Sequence, residues 1–69
     1  MDTIKVDARG LSCPQPVIMV MEALKQNGAR YEILVDDHTA LQNVSRCLNK
    51  AGKTVSVTED GDNITMIAE

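Results

Sequence analysis

Apolar spacing constrains this 69-residue chain more than any other feature, because it changes period along the sequence. From Thr3 to Asp7 it alternates, with Ile4 and Val6 on one face, which predicts a half-buried strand. A helical pattern follows over about Pro14–Asn27, with Gly28 placed to end it. Alternation returns at Arg30–Asp36, with Tyr31, Ile33 and Val35 on one face. Asp37 is a good N-cap for a second helix over about His38–Ala51. Its apolar stripe is Ala40, Leu41, Val44, Cys47, Leu48 and Ala51, and Gly52 ends it. Lys53–Glu59 alternates with Val55 and Val57 inward, Asp60-Gly61 signals a hairpin turn, and a last strand runs over about Asp62–Ala68.

The order is β-α-β-α-β-β. Each strand has mainly one apolar face, so the expected architecture is an α+β two-layer sandwich. Both helices cover one face of a mixed four-stranded sheet. The first β-α-β unit implies parallel pairing with a right-handed crossover, and the final hairpin is antiparallel. The other face is expected to be polar apart from Leu34 and Ile67. Residues 1–69 read as a single domain, near the lower limit for one core. With Tyr31 the one aromatic, that core must be aliphatic.

Composition excludes several functions. Ten acids against seven bases give a net charge of −3, and there is no Phe or Trp. A nucleic-acid binder needs a basic face, and a single-strand binder also needs stacking aromatics, so direct nucleic-acid binding is disfavoured. No apolar run approaches the ~20 residues of a membrane span. Met1-Asp2-Thr3 lacks the features of a signal peptide, and the expectation is a cytoplasmic monomer. Cys13 and Cys47 are far apart with no CxxC, which points to reduced thiols; with His38 they lack zinc-ligand spacing, so no metal is expected.

The segment Asp7-Ala8-Arg9-Gly10-Leu11-Ser12-Cys13-Pro14-Gln15-Pro16 carries the chemistry. Cys13 falls where the first helix begins. The unpaired N–H groups and positive dipole end found there favour a thiolate over a thiol. Arg9 is placed to add positive charge, Gly10 permits a tight turn, and Pro14 and Pro16 stiffen the helix start without loss of a hydrogen bond. Two readings stay open on the residues alone. One is a nucleophilic or sulfur-carrying thiolate, and the other is a small buried cysteine at a helix start.

The pattern Asp7-x-Arg9-Gly10-Leu11-x-Cys13-Pro14-x-Pro16 resembles the signature of the TusA/SirA-like sulfur carrier family. The likeness extends more weakly to Val35-Asp36-Asp37 before the second helix and to the element order. It implies a carrier whose Cys13 takes sulfur as a persulfide from a cysteine desulfurase and passes it to a downstream acceptor, as in tRNA thiolation. No cofactor is required, and the protein acts as a co-substrate of its partners. Asp7, Arg9, Gly10, Pro14 and Pro16 become supporting residues. Relatives also handle selenium, some as the N-terminal domain of a longer protein. A non-catalytic regulatory module and an oxidisable sensor thiol are the alternatives. His38 stands where relatives often have Pro.

Three further residues need placing. Cys47 reads as a packing residue. If the two helices run parallel, it lies about 13 Å along the axis from Cys13, too far for a disulfide. On the first helix Val17, Val20, Met21 and Leu24 are expected to face the core. Ile18 then lies on the flank and Met19 points away, so Ile18 and Met19 form a candidate docking surface for the donor enzyme.

Overall fold

The computed structural model describes residues 3–12, 14–26 and 28–69. Cys13 and Asn27 lie outside them, so the predicted setting of the Cys13 thiol and its distance from Cys47 are not described. The elements are β1 (Thr3–Asp7), α1 (Gln15–Leu24), β2 (Arg30–Val35), α2 (His38–Lys50), β3 (Val55–Asp60) and β4 (Asn63–Ala68). The sheet order is β1-β2-β4-β3, with β1 parallel to β2 and β4 antiparallel to both β2 and β3. The expected α+β sandwich with a mixed four-stranded sheet is the observed fold.

Register explains the core. Ile4 and Val6 pair with Tyr31 and Ile33, and Tyr31, Ile33 and Val35 pair with Ala68, Met66 and Ile64. Strand side chains alternate between faces, so these positions share one face. That face packs against Val20 and Ala23 of α1 and Ala40, Val44 and Leu48 of α2. On the opposite face Leu34 and Ile67 are half-buried among polar neighbours. Tyr31 is buried with its hydroxyl satisfied, donating to the Gln26 carbonyl at 2.7 Å.

The termini of α2 follow the sequence. The Asp37 carboxylate accepts from the Ala40 N–H, as an N-cap should. Gly52 follows the helix with φ +79°, where a side chain would be strained. The hairpin loop is Gly61–Asp62, closed by the Asp60–Asn63 pair. Gly61 has φ +64°, the conformation a type II′ turn requires at its first central residue.

Several expectations need correction. First, α1 is turned about its axis. Its buried residues are Pro16, Val20 and Ala23, while Met21 is 52% exposed and Met19 is half-buried against the core. Relative to the predicted stripe this is a rotation of about 80°, nearly one residue of helix. The reason is that α1 has two neighbours. Small Ala23 and the compact Pro16 ring face inward, Val17 and Leu24 flank them on one side, and Met19 flanks on the other. Met19 is thus part of the core margin, and Ile18, 42% exposed, is the outward residue of the proposed docking pair.

Second, Val57 faces the helix side as expected, paired with buried Met66, but is 46% exposed. It lies on an edge strand, where α2 covers only one flank. Third, Pro14 is the N-cap of α1, not its first helical residue, and the helix stops at Leu24. Its last turn tightens, with Lys25 and Gln26 N–H bonding the carbonyls three residues back. Ala51, placed in the α2 stripe, is exposed beyond the end of that helix.

Candidate functional site

The loop from β1 to α1 is fastened at its base by the backbone. The Ala8 N–H donates to the Leu34 carbonyl at 2.8 Å, extending the β1–β2 pairing by one bond, and the Ala8 side chain is buried. Asp7 and Arg9 then close a local clamp. Arg9 Nε and Nη2 donate to the two Asp7 carboxylate oxygens at 2.9 Å each, and the Arg9 backbone N–H reaches Asp7 Oδ1 at 3.2 Å. These bonds, the side-chain ones foremost, lower the Asp7 pKa from 3.8 to about 2. The Arg9 pKa is raised for the same reason. Arg9 Nη1 also donates to Asn63 Oδ1 at 3.3 Å, linking the loop to the start of β4.

The next residue turns the chain. Gly10 has φ +75°, a conformation that suits glycine. A Cβ there would meet nothing within 4 Å, so backbone conformation and not crowding favours glycine. Its N–H donates to Asp36 Oδ2 at 2.8 Å. Asp36 and Asp37 therefore have separate tasks. Asp36 holds the loop and Asp37 caps α2. Sequence reasoning identified the cap. It missed the loop tether and the Asn63 contact, which depend on strand ends separated in sequence by 26 and 54 residues.

Beyond Gly10, Leu11 is half-buried against the core, while Ser12, Pro14 and Gln15 are exposed. The Gln15 N–H donates to the Ser12 carbonyl at 2.8 Å and the Ile18 N–H to the Pro14 carbonyl at 3.1 Å. Among the described residues the N-terminus of α1 has no side-chain cap and no acidic residue in its first turn. Its N-cap, Pro14, has no side-chain acceptor of the kind that Asp37 gives α2. Pro16, inside the first turn, is buried. Beside this segment a cleft of about 140 Å³ is lined by Leu11, Ser12, Pro16, Asp37, Thr39 and Asn43.

The expected contribution of Arg9 changes in this setting. Its guanidinium is matched by Asp7, which leaves the N-terminus of α1 as the positive end beside Ser12 and Pro14. His38 is exposed, with Nε2 3.0 Å from Glu59 Oε1. Cys47 is half-buried and packed against the core, as its helical position predicts.

Comparison with known proteins agrees with this geometry. The crystal structure of a SirA-like protein from Desulfitobacterium hafniense superposes with a TM-score of 0.84 at 29% identity, covering 94% of this chain and 93% of that one. The "Putative sulfur carrier protein" of Methanocaldococcus jannaschii is 33% identical over 61 residues, spanning 86% of this chain and 81% of its own. The sequence profile of the family described as "Sulfurtransferase TusA" matches residues 4–69. With nearly its whole length matched, the chain belongs to the TusA/SirA-like family of sulfur carriers.

Proposed function

We propose that this protein carries sulfur as a persulfide on Cys13, taking it from a cysteine desulfurase and relaying it to a downstream acceptor, with tRNA thiolation one such destination. The observation that carries the reading is the N-terminus of α1, which among the described residues has neither a side-chain cap nor a first-turn acid. In sequence Cys13 immediately precedes the N-cap Pro14, and its two neighbours, Ser12 and Pro14, are exposed. Orphan N–H groups and the dipole at such an end favour an anionic sulfur, first as thiolate and then as persulfide.

The chemistry is a redox-neutral exchange. The Cys13 thiolate attacks the terminal sulfur of the donor's cysteine persulfide. A new S–S bond forms on Cys13, the donor's S–S bond breaks, and the donor cysteine leaves as a thiolate. Delivery repeats the step, with an acceptor thiolate attacking the terminal sulfur and Cys13 leaving. Gly10, held by Asp36, and Arg9, clamped by Asp7, keep the preceding loop in place. Pro14 and Pro16 stiffen the helix start, and exposed Ile18 belongs to the donor-facing surface.

The test is an intact-mass measurement after incubation with a cysteine desulfurase and cysteine. Wild type is expected to gain the mass of one sulfur atom, and Cys13→Ser is expected to gain none. Equal gain in the Cys13→Ser variant, or no gain in wild type, rejects the proposal.

A further inference from the structure

The seven basic side chains divide by whether they have a partner. Lys5 pairs with Glu32 at 3.9 Å, Arg9 with Asp7 at 2.9 Å and Arg30 with Glu69 at 2.9 Å, while Lys53 lies 5.3 Å from the Tyr31 ring centre. The other three, Lys25, Arg46 and Lys50, make no side-chain hydrogen bond or ion pair among the described residues. All three line one groove of about 610 Å³ between α1 and α2. Its floor is apolar, formed by Val17, Met21, Leu24, Cys47 and Ala51. The chain holds ten acids, yet none of the groove's lining residues is acidic.

The topology sets the direction of the two helices that flank this groove. β1 and β2 are parallel, and β2 and β3 both run antiparallel to β4, so α1 and α2 each return between strands of one direction. The helices therefore run side by side in the same sense. Val17, Met21 and Leu24 of α1 with its C-cap Lys25, and Arg46, Cys47 and Lys50 of α2 with its C-cap Ala51, repeat along the groove at helical spacing. The α1 wall, from Val17 to Lys25, is about 12 Å long at 1.5 Å per residue, a little over two helical turns. Val17 and Asn43 line both this groove and the cleft beside Leu11 and Ser12, so the two are continuous.

We propose that the groove between α1 and α2 seats an acidic amphipathic helix of a partner protein. The partner's apolar face lies on Met21, Leu24 and Cys47, and its carboxylates meet Lys25, Arg46 and Lys50. A helix is the occupant that fits a trough between two parallel helices. Three unpaired cations without an acid among them select for negative charge by complementarity. Exposed Met21 adapts to the partner's side chains. A second copy of this chain does not supply such a helix, because α1 carries the single acid Glu22 and α2 carries none. That the seated helix belongs to a sulfur-transfer partner rests on the carrier reading, because one end of the groove opens beside the loop.

The test is an amide NMR titration of the full chain with two synthetic helical peptides. Both carry leucine at i, i+4 and i+7; one has flanking glutamates and the other flanking lysines. The acidic peptide is expected to shift Met21, Leu24, Arg46, Cys47 and Lys50 amides. Its affinity is expected to fall at least tenfold in K25E/R46E/K50E and in the single variant Met21→Glu. Equal binding of the lysine peptide, unchanged affinity in both variants, or shifts centred elsewhere overturns the proposal. So does concentration-dependent self-association through the same amides, or the same shifts with phosphatidylglycerol vesicles and none with the acidic peptide. Sulfur gain from cysteine persulfide is read in parallel. Its absence from wild type alongside acidic-peptide binding supports the groove and rejects the carrier reading, whereas sulfur gain without peptide binding overturns the groove alone.

Discussion

The bond from the Gly10 N–H to Asp36 Oδ2, 2.8 Å long, is the link between the loop and the start of α2, and its removal separates loop order from stability. Hydrogen bonds to charged groups contribute about 1.5–3 kcal/mol where water is excluded. Asp36 is exposed, so water replaces the lost partner and the cost falls to about 1 kcal/mol. For a domain of this size, that lowers Tm by about 4–8 °C. The fold survives, because the Ala8–Leu34 backbone bond and the Asp7–Arg9 clamp stay in place. The loop, however, gains states in which Gly10 is free. A loss of about 1 kcal/mol reduces the tethered population relative to free states about fivefold.

We therefore predict that Asp36→Ala slows sulfur loading from a subsaturating desulfurase about fivefold and speeds hydrogen exchange at the Gly10 amide by a similar factor. Asp36→Asn keeps an acceptor but loses its charge, which removes about half the bond's strength and predicts about a twofold effect. The control is the adjacent Asp37→Ala, which removes the α2 cap at a similar cost of about 1 kcal/mol. Its loading rate is expected to match wild type. Equal slowing by Asp36→Ala and Asp37→Ala refutes the reasoning, because loading would then follow stability and not the tether. Unchanged Gly10 exchange in Asp36→Ala refutes it as well.

Two further outcomes follow from the core and the clamp. Leu48, fully buried under the sheet, is expected to cost about 2–5 kcal/mol when changed to Ala. Urea unfolding should show this as a large share of a total near 3–10 kcal/mol for 69 residues, and a change below about 1 kcal/mol contradicts the packing described. The Asp7 carboxyl, with a folded value of about 2 against 3.8 unperturbed, favours the folded state above about pH 3.8 and loses that contribution as pH falls toward about 2. A carbon-detected titration of Asp7 should show the low value and its return toward 3.8 in Arg9→Ala; an unshifted Asp7 in wild type contradicts the clamp.

What the sequence made legible follows its local signals. Alternation in β2 identifies Tyr31, Ile33 and Val35 because a central strand has one wholly buried face. Asp37 is legible because a cap acts within three residues of itself. The phase of α1 was not legible. Its apolar arc is wide enough to fit two orientations, and the choice falls to small Ala23 and Pro16, which hydrophobicity alone ranks below Met21. Val57 reads as inward by alternation, but its exposure depends on how far α2 reaches over the sheet edge. The motif from Asp7 to Pro16 marked the loop, yet the partners that position it, Leu34, Asp36 and Asn63, come from strand ends that only the fold brings together.

Those partners explain how a chain of 69 residues can hold the proposed transfer site in place. The loop bonds at Asp7, Ala8 and Gly10 end on the loop itself or on the chain at the end of β2. β2 is a central strand, flanked by β1 and β4 and packed through Ile33 and Val35, both fully buried. The loop thus inherits its position from the best-packed element of the molecule, although its own contacts are exposed and individually weak. Loosening that element is expected to disturb the loop with it. A single sulfur atom passed between proteins needs little more than this. On the proposed reading the enclosing surfaces belong to the partners, and the carrier supplies a helix end and a groove beside it.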